Sequence, residues 1–241
     1  MEKKDKKTLI CAHRGMRGEW GENTMEAFRA AVAAGADMIE FDVRRTACGK
    51  LVVHHDPAIG AGELGKPIST IGYEELNEIA KEMGFRVPLL REVLSEFGDK
   101  TLLDIELKDV GYEREVIREA LSIISPERFV ITSFNDETVK RVKEIAPEVR
   151  TGLLLGDERK KGLLVRLSEG FPVLRLKRCK ADFAATNIKL LRLGFIERLR
   201  LAGIPVWVWT VNDEEKIKSL LGRVEVIITD ELKLAMIIAG N

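Results

Sequence analysis

Short apolar runs alternate along the chain with longer stretches whose apolar positions recur every three or four residues. The short runs are TLICAH, DMIEFDV, TLLDIEL, RFVITSF, RTGLLL, DFAATN, PVWVWT and VEVIIT, and they read as strands. The longer pieces, among them TMEAFRAAVAAG, REVIREALSII, DETVKRVKEIA, LLRLGFIERLRLAG and NDEEKIKSLLG, read as amphipathic helices. Strands alternating with helices build a parallel sheet, because each parallel neighbour needs a crossover connection. Eight strands in a chain of 241 residues predict an α/β fold, the TIM (β/α)8 barrel, with its active groups at the C-terminal strand ends. A doubly wound open sheet is the structural alternative. One segment, about 44–90, breaks the rhythm with an extra strand, LVVHHD, a glycine-rich turn and one or two short helices. It is read as a small insertion after the second strand of a single domain spanning 1–241. The segment Arg159 to Lys180 has no clear period.

Two strands carry charge where a buried strand should not. Side chains alternate across a strand, so Glu40 and Asp42 share one face of DMIEFDV, with Ile39, Phe41 and Val43 on the other. In TLLDIELK the same phase gathers Asp104, Glu106 and Lys108 on one face and Leu103, Ile105 and Leu107 on the other. Helices cover the apolar faces, so the charged ones point into the barrel, where an isolated carboxylate is costly to bury. Pairing with rim cations accounts for one such strand; two of them, both near their C-terminal ends, point to a site. Glu40, Asp42 and Glu106 offer oxygen ligands to a hard divalent cation, Ca²⁺ or Mg²⁺. The three histidines, His13, His54 and His55, all fall at predicted strand ends. Arg14 and Lys108 add phosphate-seeking cations. Proton-transfer groups, a cation site and fixed positive charge suit attack at a phosphodiester. Hydride or acyl transfer is poorly served, since no cofactor loop or serine triad accompanies them.

Composition narrows the setting. Lys+Arg 39 balances Asp+Glu 39, leaving no net pull toward nucleic acid or an anionic membrane. The cysteines, Cys11, Cys48 and Cys179, lack CxxC spacing and argue for a reducing compartment over disulfides or zinc. The start, MEKKDKKTLI, is a charged tail without an apolar signal core, and no apolar run approaches ~18 residues. The expectation is a cytoplasmic protein without stable membrane insertion.

The series HRG at His13–Gly15, ENT at Glu22–Thr24, EFDV at Glu40–Val43, HD at His55–Asp56 and ELK at Glu106–Lys108 resembles the signatures of the glycerophosphodiester phosphodiesterase family. Ser133–Phe134 and the WTVN around Trp209 extend the resemblance over nearly the whole chain. It implies a TIM barrel with an insertion after the second strand. It implies His13 and His55 as an acid/base pair, and Glu40, Asp42 and Glu106 as ligands of a divalent metal. Arg14 and Lys108 would hold the phosphate of a small-molecule glycerophosphodiester. The implied reaction yields glycerol phosphate and an alcohol, with the neighbouring glycerol 2-hydroxyl attacking first and water opening the cyclic phosphate. Adjacency to Asp56 favours His55 over His54. A phospholipase acting on lysophospholipids or phosphoinositides and a non-catalytic phosphodiester-binding barrel are the rival readings.

Other features have plainer expectations. Trp20, Phe134 and Trp209 are candidate pocket walls, while Trp207 reads as core. Asn23, with Glu26 three residues on, reads as a helix cap. GAGELG, Gly60 to Gly65, has glycine spacing found at dinucleotide sites but leads into extended PIST, so a glycine hairpin is expected. The basic cluster RLKRCK, Arg175 to Lys180, reads as a solvated face.

Overall fold

Eight parallel strands close into a barrel: β1 (Leu9–His13), β2 (Met38–Arg45), β6 (Leu102–Leu107), β7 (Phe129–Ser133), β8 (Arg150–Leu155), β9 (Phe183–Asn187), β10 (Val206–Trp209) and β11 (Val226–Thr229). Closure comes from β1, which pairs with β2 on one side and β11 on the other. This is the TIM barrel expected from the alternation, and the open doubly wound sheet is excluded. The computed structural model describes residues 7–60, 65–156, 169, 171–192 and 194–240.

The strand phase follows the charge pattern. Ile39, Phe41, Val43, Leu103, Ile105 and Leu107 belong to the outer core, packed between strands and helices. A second apolar cluster, with Met38, Val130, Phe183, Trp207 and Val226, plugs the floor of the barrel. Gly152 makes room for it, because a Cβ there would meet the Phe183 ring at 2.2 Å. Phe183 stacks on Trp207 with centroids 3.9 Å apart, so Trp207 is core as expected. Polar inward groups therefore collect above this plug, toward the C-terminal mouth.

The insertion begins with β3 (Leu51–Val53), antiparallel to β2. A two-stranded hairpin, β4 (Ala58–Ile59) with β5 (Lys66–Pro67), and a helix, Tyr73–Glu82, follow. Val52, Ile59, Ile68, Leu76 and Val87 give this excursion an apolar cluster of its own. The middle of the GAGELG turn lies outside the described residues, as does most of the 159–170 stretch. Beyond that stretch, Val173–Cys179 forms a helix that aperiodic basic residues concealed: Lys177 and Arg178 are exposed, and Arg175 binds Asp136. The last helix, Leu232–Ala239, escaped notice because it is apolar on nearly every side. No helix among the described residues is long and apolar enough to cross a membrane. The three cysteines are free thiols.

Candidate active site

At the barrel mouth β1 ends in His13, and the chain must turn at once. Gly15, at φ +81, makes that turn, and a Cβ there would lie 2.8 Å from the Ala27 backbone. Arg14 takes a left-handed conformation, φ 59, which a side-chain-bearing residue holds only when its surroundings over-determine it. Its amide donates to Glu40 Oε2 (2.9 Å) and Nη1 donates to Glu22 Oε1 (2.8 Å). Nε lies 3.2 Å from Asp42 Oδ2.

Beneath Arg14 the inward carboxylates converge. Ligand oxygens of Glu40, Asp42 and Glu106 all lie within 4.8 Å of one another, and the three residues are buried. Lys108 Nζ donates to Glu106 Oε1 (2.7 Å) and lies 3.1 Å from Asp42 Oδ1. Burial works against ionisation of Asp42, but Lys108 and Arg14 overcome it and hold its carboxyl well below the usual range. Burial, with the charges of Asp42 and Glu106, pushes Glu40 well up. Burial raises Glu106 to about 7, with the Asp42 charge adding to it against Lys108. Asp104, one layer lower, accepts from Thr132 Oγ1 (2.7 Å) through Oδ1 and is raised by burial to about 8.

This cluster fits a divalent cation. Asp42 Oδ1 is buried, with the Lys108 ammonium 3.1 Å away as its ionic partner. Two cations, Arg14 and Lys108, face four buried carboxyls, Glu40, Asp42, Asp104 and Glu106, an excess of acidic groups that a divalent cation would offset. Oxygen-only donors of this kind suit Ca²⁺ or Mg²⁺. Glu40, Asp42 and Glu106 are the residues that would hold it.

Asn23 does not cap the following helix. Thr24 is the cap, accepting from the Ala27 amide at 3.1 Å. Asn23 turns inward, donates to Asp42 Oδ2 (2.8 Å) and accepts from the Asp42 amide (3.2 Å). One bond to the buried Asp42 carboxylate and one from the Asp42 backbone amide outweigh a single cap bond that the neighbour can supply.

Each of two histidines at the mouth is backed by an aspartate. His13 Nδ1 lies 2.7 Å from Asp230 Oδ1, and Nε2 lies 4.0 Å from Glu40 Oε2. Asp230 is held by Asn212 Nδ2 (2.8 Å) and Arg17 Nη1 (3.2 Å). Partial burial opposes its ionisation, but the bond to His13, with help from Asn212 and Arg17, brings it down to about 2. His55 Nδ1 lies 2.8 Å from Asp56 Oδ1, and burial lowers the His55 pKa. An ionised aspartate accepts from Nδ1–H, which leaves Nε2 of each ring for the cavity. His54 instead lies parallel to the Phe85 ring, 5° between planes, and does not line the cavity.

His13, Arg14, Glu40, His55, Asp104, Glu106 and Lys108 line one side of a cavity of about 430 Å³. Phe134, Leu154, Gly156, Asn187, Trp209 and Thr210 line the other, without a charged side chain. Phe134 and Trp209 meet edge to face at 5.5 Å, and Trp209 Nε1 is anchored on the Ala185 carbonyl (3.0 Å). Trp20 is not part of this wall. It ends the turn Gly18–Trp20, 46% exposed, with its carbonyl tied to the Thr24 hydroxyl.

The sequence assigns no role to Asp230, Arg17 or Arg44, and Asn212 enters there only as the last residue of WTVN. For Asp230 a signal existed: it follows the last strand directly, and barrel closure sets β11 beside β1.

The profile of the Glycerophosphoryl diester phosphodiesterase family matches residues 13–234. A glycerophosphodiester phosphodiesterase of Caldanaerobacter subterraneus is 32% identical over 240 residues, covering 93% of this chain and 95% of that protein. A lysophospholipase D of Homo sapiens is 26% identical over 86% of this chain and 78% of its own length. The crystal structure of a glycerophosphodiester phosphodiesterase from Thermotoga maritima superposes with a TM-score of 0.75 at 27% identity, covering 94% of this chain and 96% of that one.

Proposed function

Since the chain belongs to the glycerophosphoryl diester phosphodiesterase family and is a phosphoric diester hydrolase, we propose that it cleaves glycerophosphodiesters to glycerol phosphate and an alcohol, using a divalent cation held by Glu40, Asp42 and Glu106 and proton transfer by His13 and His55. The observation that carries this reading is the meeting, in one cavity, of two aspartate-backed imidazoles with a buried three-carboxylate cluster.

Held by Glu40, Asp42 and Glu106, a divalent cation would supply positive charge that offsets the carboxylates and Lewis acidity toward the phosphate. Arg14 and Lys108 draw the phosphate to the charged side of the cavity, Arg14 through a planar fork and Lys108 as a point charge. One imidazole Nε2 takes the proton of the attacking hydroxyl as its oxygen bonds to phosphorus. As the phosphorus–oxygen bond to the departing alcohol breaks, the other imidazole gives that oxygen a proton. With the glycerol 2-hydroxyl as attacker the first product is a cyclic phosphate, and water opens it with the proton traffic reversed. Asp230 and Asp56 fix the tautomers and ring orientations that both transfers need. The uncharged wall of Phe134, Leu154 and Trp209 shields the other end of the substrate from water. The three free thiols favour a cytoplasmic setting, where cysteines stay reduced.

A second reading, cleavage of lysophospholipids by the same groups, is favoured by one observation: the human relative is a lysophospholipase D. Turnover of glycerophosphocholine and lysophosphatidylcholine, each with chelator and with added Ca²⁺ or Mg²⁺, tests both. Cation-dependent release of choline from the first is expected. Full activity in chelator overturns the cation site, and activity on the lysolipid alone overturns the substrate assignment.

A further inference from the structure

The residues around Arg44 solve a problem that the topology creates. His55 is not on a barrel strand. It lies two residues beyond β3, whose pairing with β2 ends at Val53 opposite Val43. Past that point the His54 amide bonds the Asp42 carbonyl (2.9 Å), and the ladder stops. Lys108 likewise follows the end of β6, its amide reaching the Val43 carbonyl at a long 3.3 Å. His55 thus sits just past the last ladder bond of its segment, and Lys108 at the last, long one of its own.

Arg44 joins those ends. It shares the inward phase of Glu40 and Asp42 on β2, and its side chain is only 7% exposed. Nε and Nη2 converge on a single acceptor, the His55 carbonyl, at 2.9 and 2.6 Å. Nη1 donates to Asp109 Oδ2 at 2.7 Å, one residue past Lys108. Buried Tyr112 braces the same junction, donating to the Val43 carbonyl (2.7 Å) and accepting from the Asp109 amide (3.1 Å). A guanidinium is planar and rigid, so its three bonds set the His55 and Lys108 segments in one fixed relation. Burying that charge is costly unless every contact is good, and an apolar side chain would serve packing alone at less cost.

We infer that Arg44 is a positioning residue for the reaction, holding the His55 imidazole and the Lys108 ammonium in register over the phosphate. The inference rests on the proposed role of His55. Arg44→Lys keeps the charge and loses the fork. It should lower kcat on glycerophosphocholine by ~10–100-fold, the cost of a displacement near an ångström or of a misplaced acid or base. KM should rise less than kcat falls, because Lys108 shifts while Arg14 and the three carboxylates keep their own backbone positions.

The readout that separates positioning from stability is leaving-group dependence. kcat is measured on glycerophosphocholine and on the 4-nitrophenyl diester of glycerol phosphate for wild type, His13→Ala, His55→Ala and Arg44→Lys. Arg44→Lys should reproduce the pattern of His55→Ala and differ from that of His13→Ala. Wild-type kcat in Arg44→Lys, a loss confined to KM, or the His13→Ala pattern overturns the inference. If Arg44→Lys does not fold by circular dichroism, Asp109→Ala decides, since Asp109 is half exposed and its loss frees one end of the clamp. That variant should lose kcat about tenfold with the same pattern, and unchanged kcat refutes the clamp. Wild-type activity in His55→Ala would instead refute the reading of the site itself.

Discussion

Asp104 allows the buried charge of the site to be measured without any substrate. It lies at the bottom of the cavity, above the apolar plug, with Oδ1 on Thr132 and Oδ2 buried without a hydrogen bond. Burial raises it from an ordinary 3.8 to about 8. In the metal-free protein the folded state therefore keeps a proton that the unfolded chain gives up. A carboxyl raised in this way contributes stability that is complete below the unfolded value and lost as pH rises toward the folded one. The slope is ~1.4 kcal/mol per pH unit, so from about pH 5 to about pH 7.5 Asp104 removes roughly 3 kcal/mol. Glu106 acts with the same sign, and His54 and His55, lowered by burial, act with the opposite one. A bare pH profile mixes these groups, so the comparison is with Asp104→Asn. The amide keeps the Thr132 bond through its oxygen and cannot ionise. Calorimetry in chelator should find the stability of the variant relative to wild type rising by roughly 3 kcal/mol between about pH 5 and about pH 7.5, or ~6–12 °C in relative Tm. Saturating Ca²⁺ should narrow the gap, because a cation beside Glu106 favours ionised Asp104. Parallel Tm curves for the two proteins in chelator would falsify the account of a proton-bearing carboxyl at the bottom of the cavity.

Glu106→Gln removes an anionic ligand and should weaken Ca²⁺ binding at least tenfold by titration calorimetry, on the order of 1.4 kcal/mol; unchanged affinity removes Glu106 from the cation site. Arg14→Lys should lower kcat/KM by ~10-fold or more, since a point charge replaces a bidentate donor, and wild-type kinetics would take Arg14 off the phosphate. His55→Ala should cost ~10²–10⁴ in rate while His54→Ala stays near wild type, and the reverse order would reassign the paired histidines. Asp230→Asn should lower kcat by at least ~10-fold through the wrong His13 tautomer with a folded circular dichroism spectrum retained, and an unaffected kcat denies Asp230 that role.

The barrel was legible because every one of its strands is a short apolar run followed by a connection long enough to cross over. The inward face was legible for a different reason. Carboxylates at alternate positions of β2 and β6 conflict with burial, and such a conflict is tolerated mainly where function requires it. From those two facts Glu40, Asp42, Glu106 and Lys108 follow as candidates, while His13 and Arg14 come from chemistry at a strand end and His55 from the family resemblance; the fold brings all seven to one mouth, with Asp42 just beneath the cavity wall.

What escaped the sequence is the set of residues that hold those candidates in place, and the cause is distance along the chain. Asp230 meets His13 across the seam where the barrel closes, 217 positions away, and no local period encodes that contact. Asn23 looked like a helix cap because its neighbours fit a cap, and only the depth of Asp42 shows why the amide turns inward. Arg44 shares the phase of Glu40 and Asp42, yet its work is done on a carbonyl and on a residue after another strand. Groups that touch a substrate are chosen by chemistry, so their types betray them. Groups that aim them are chosen by geometry, and a guanidinium or an amide reads the same on a solvated surface as at the centre of a clamp. The seam and the strand ends of a closed barrel are therefore where unrecognised positioning residues should be sought first, because there the sheet's own hydrogen bonds run out and side chains must replace them.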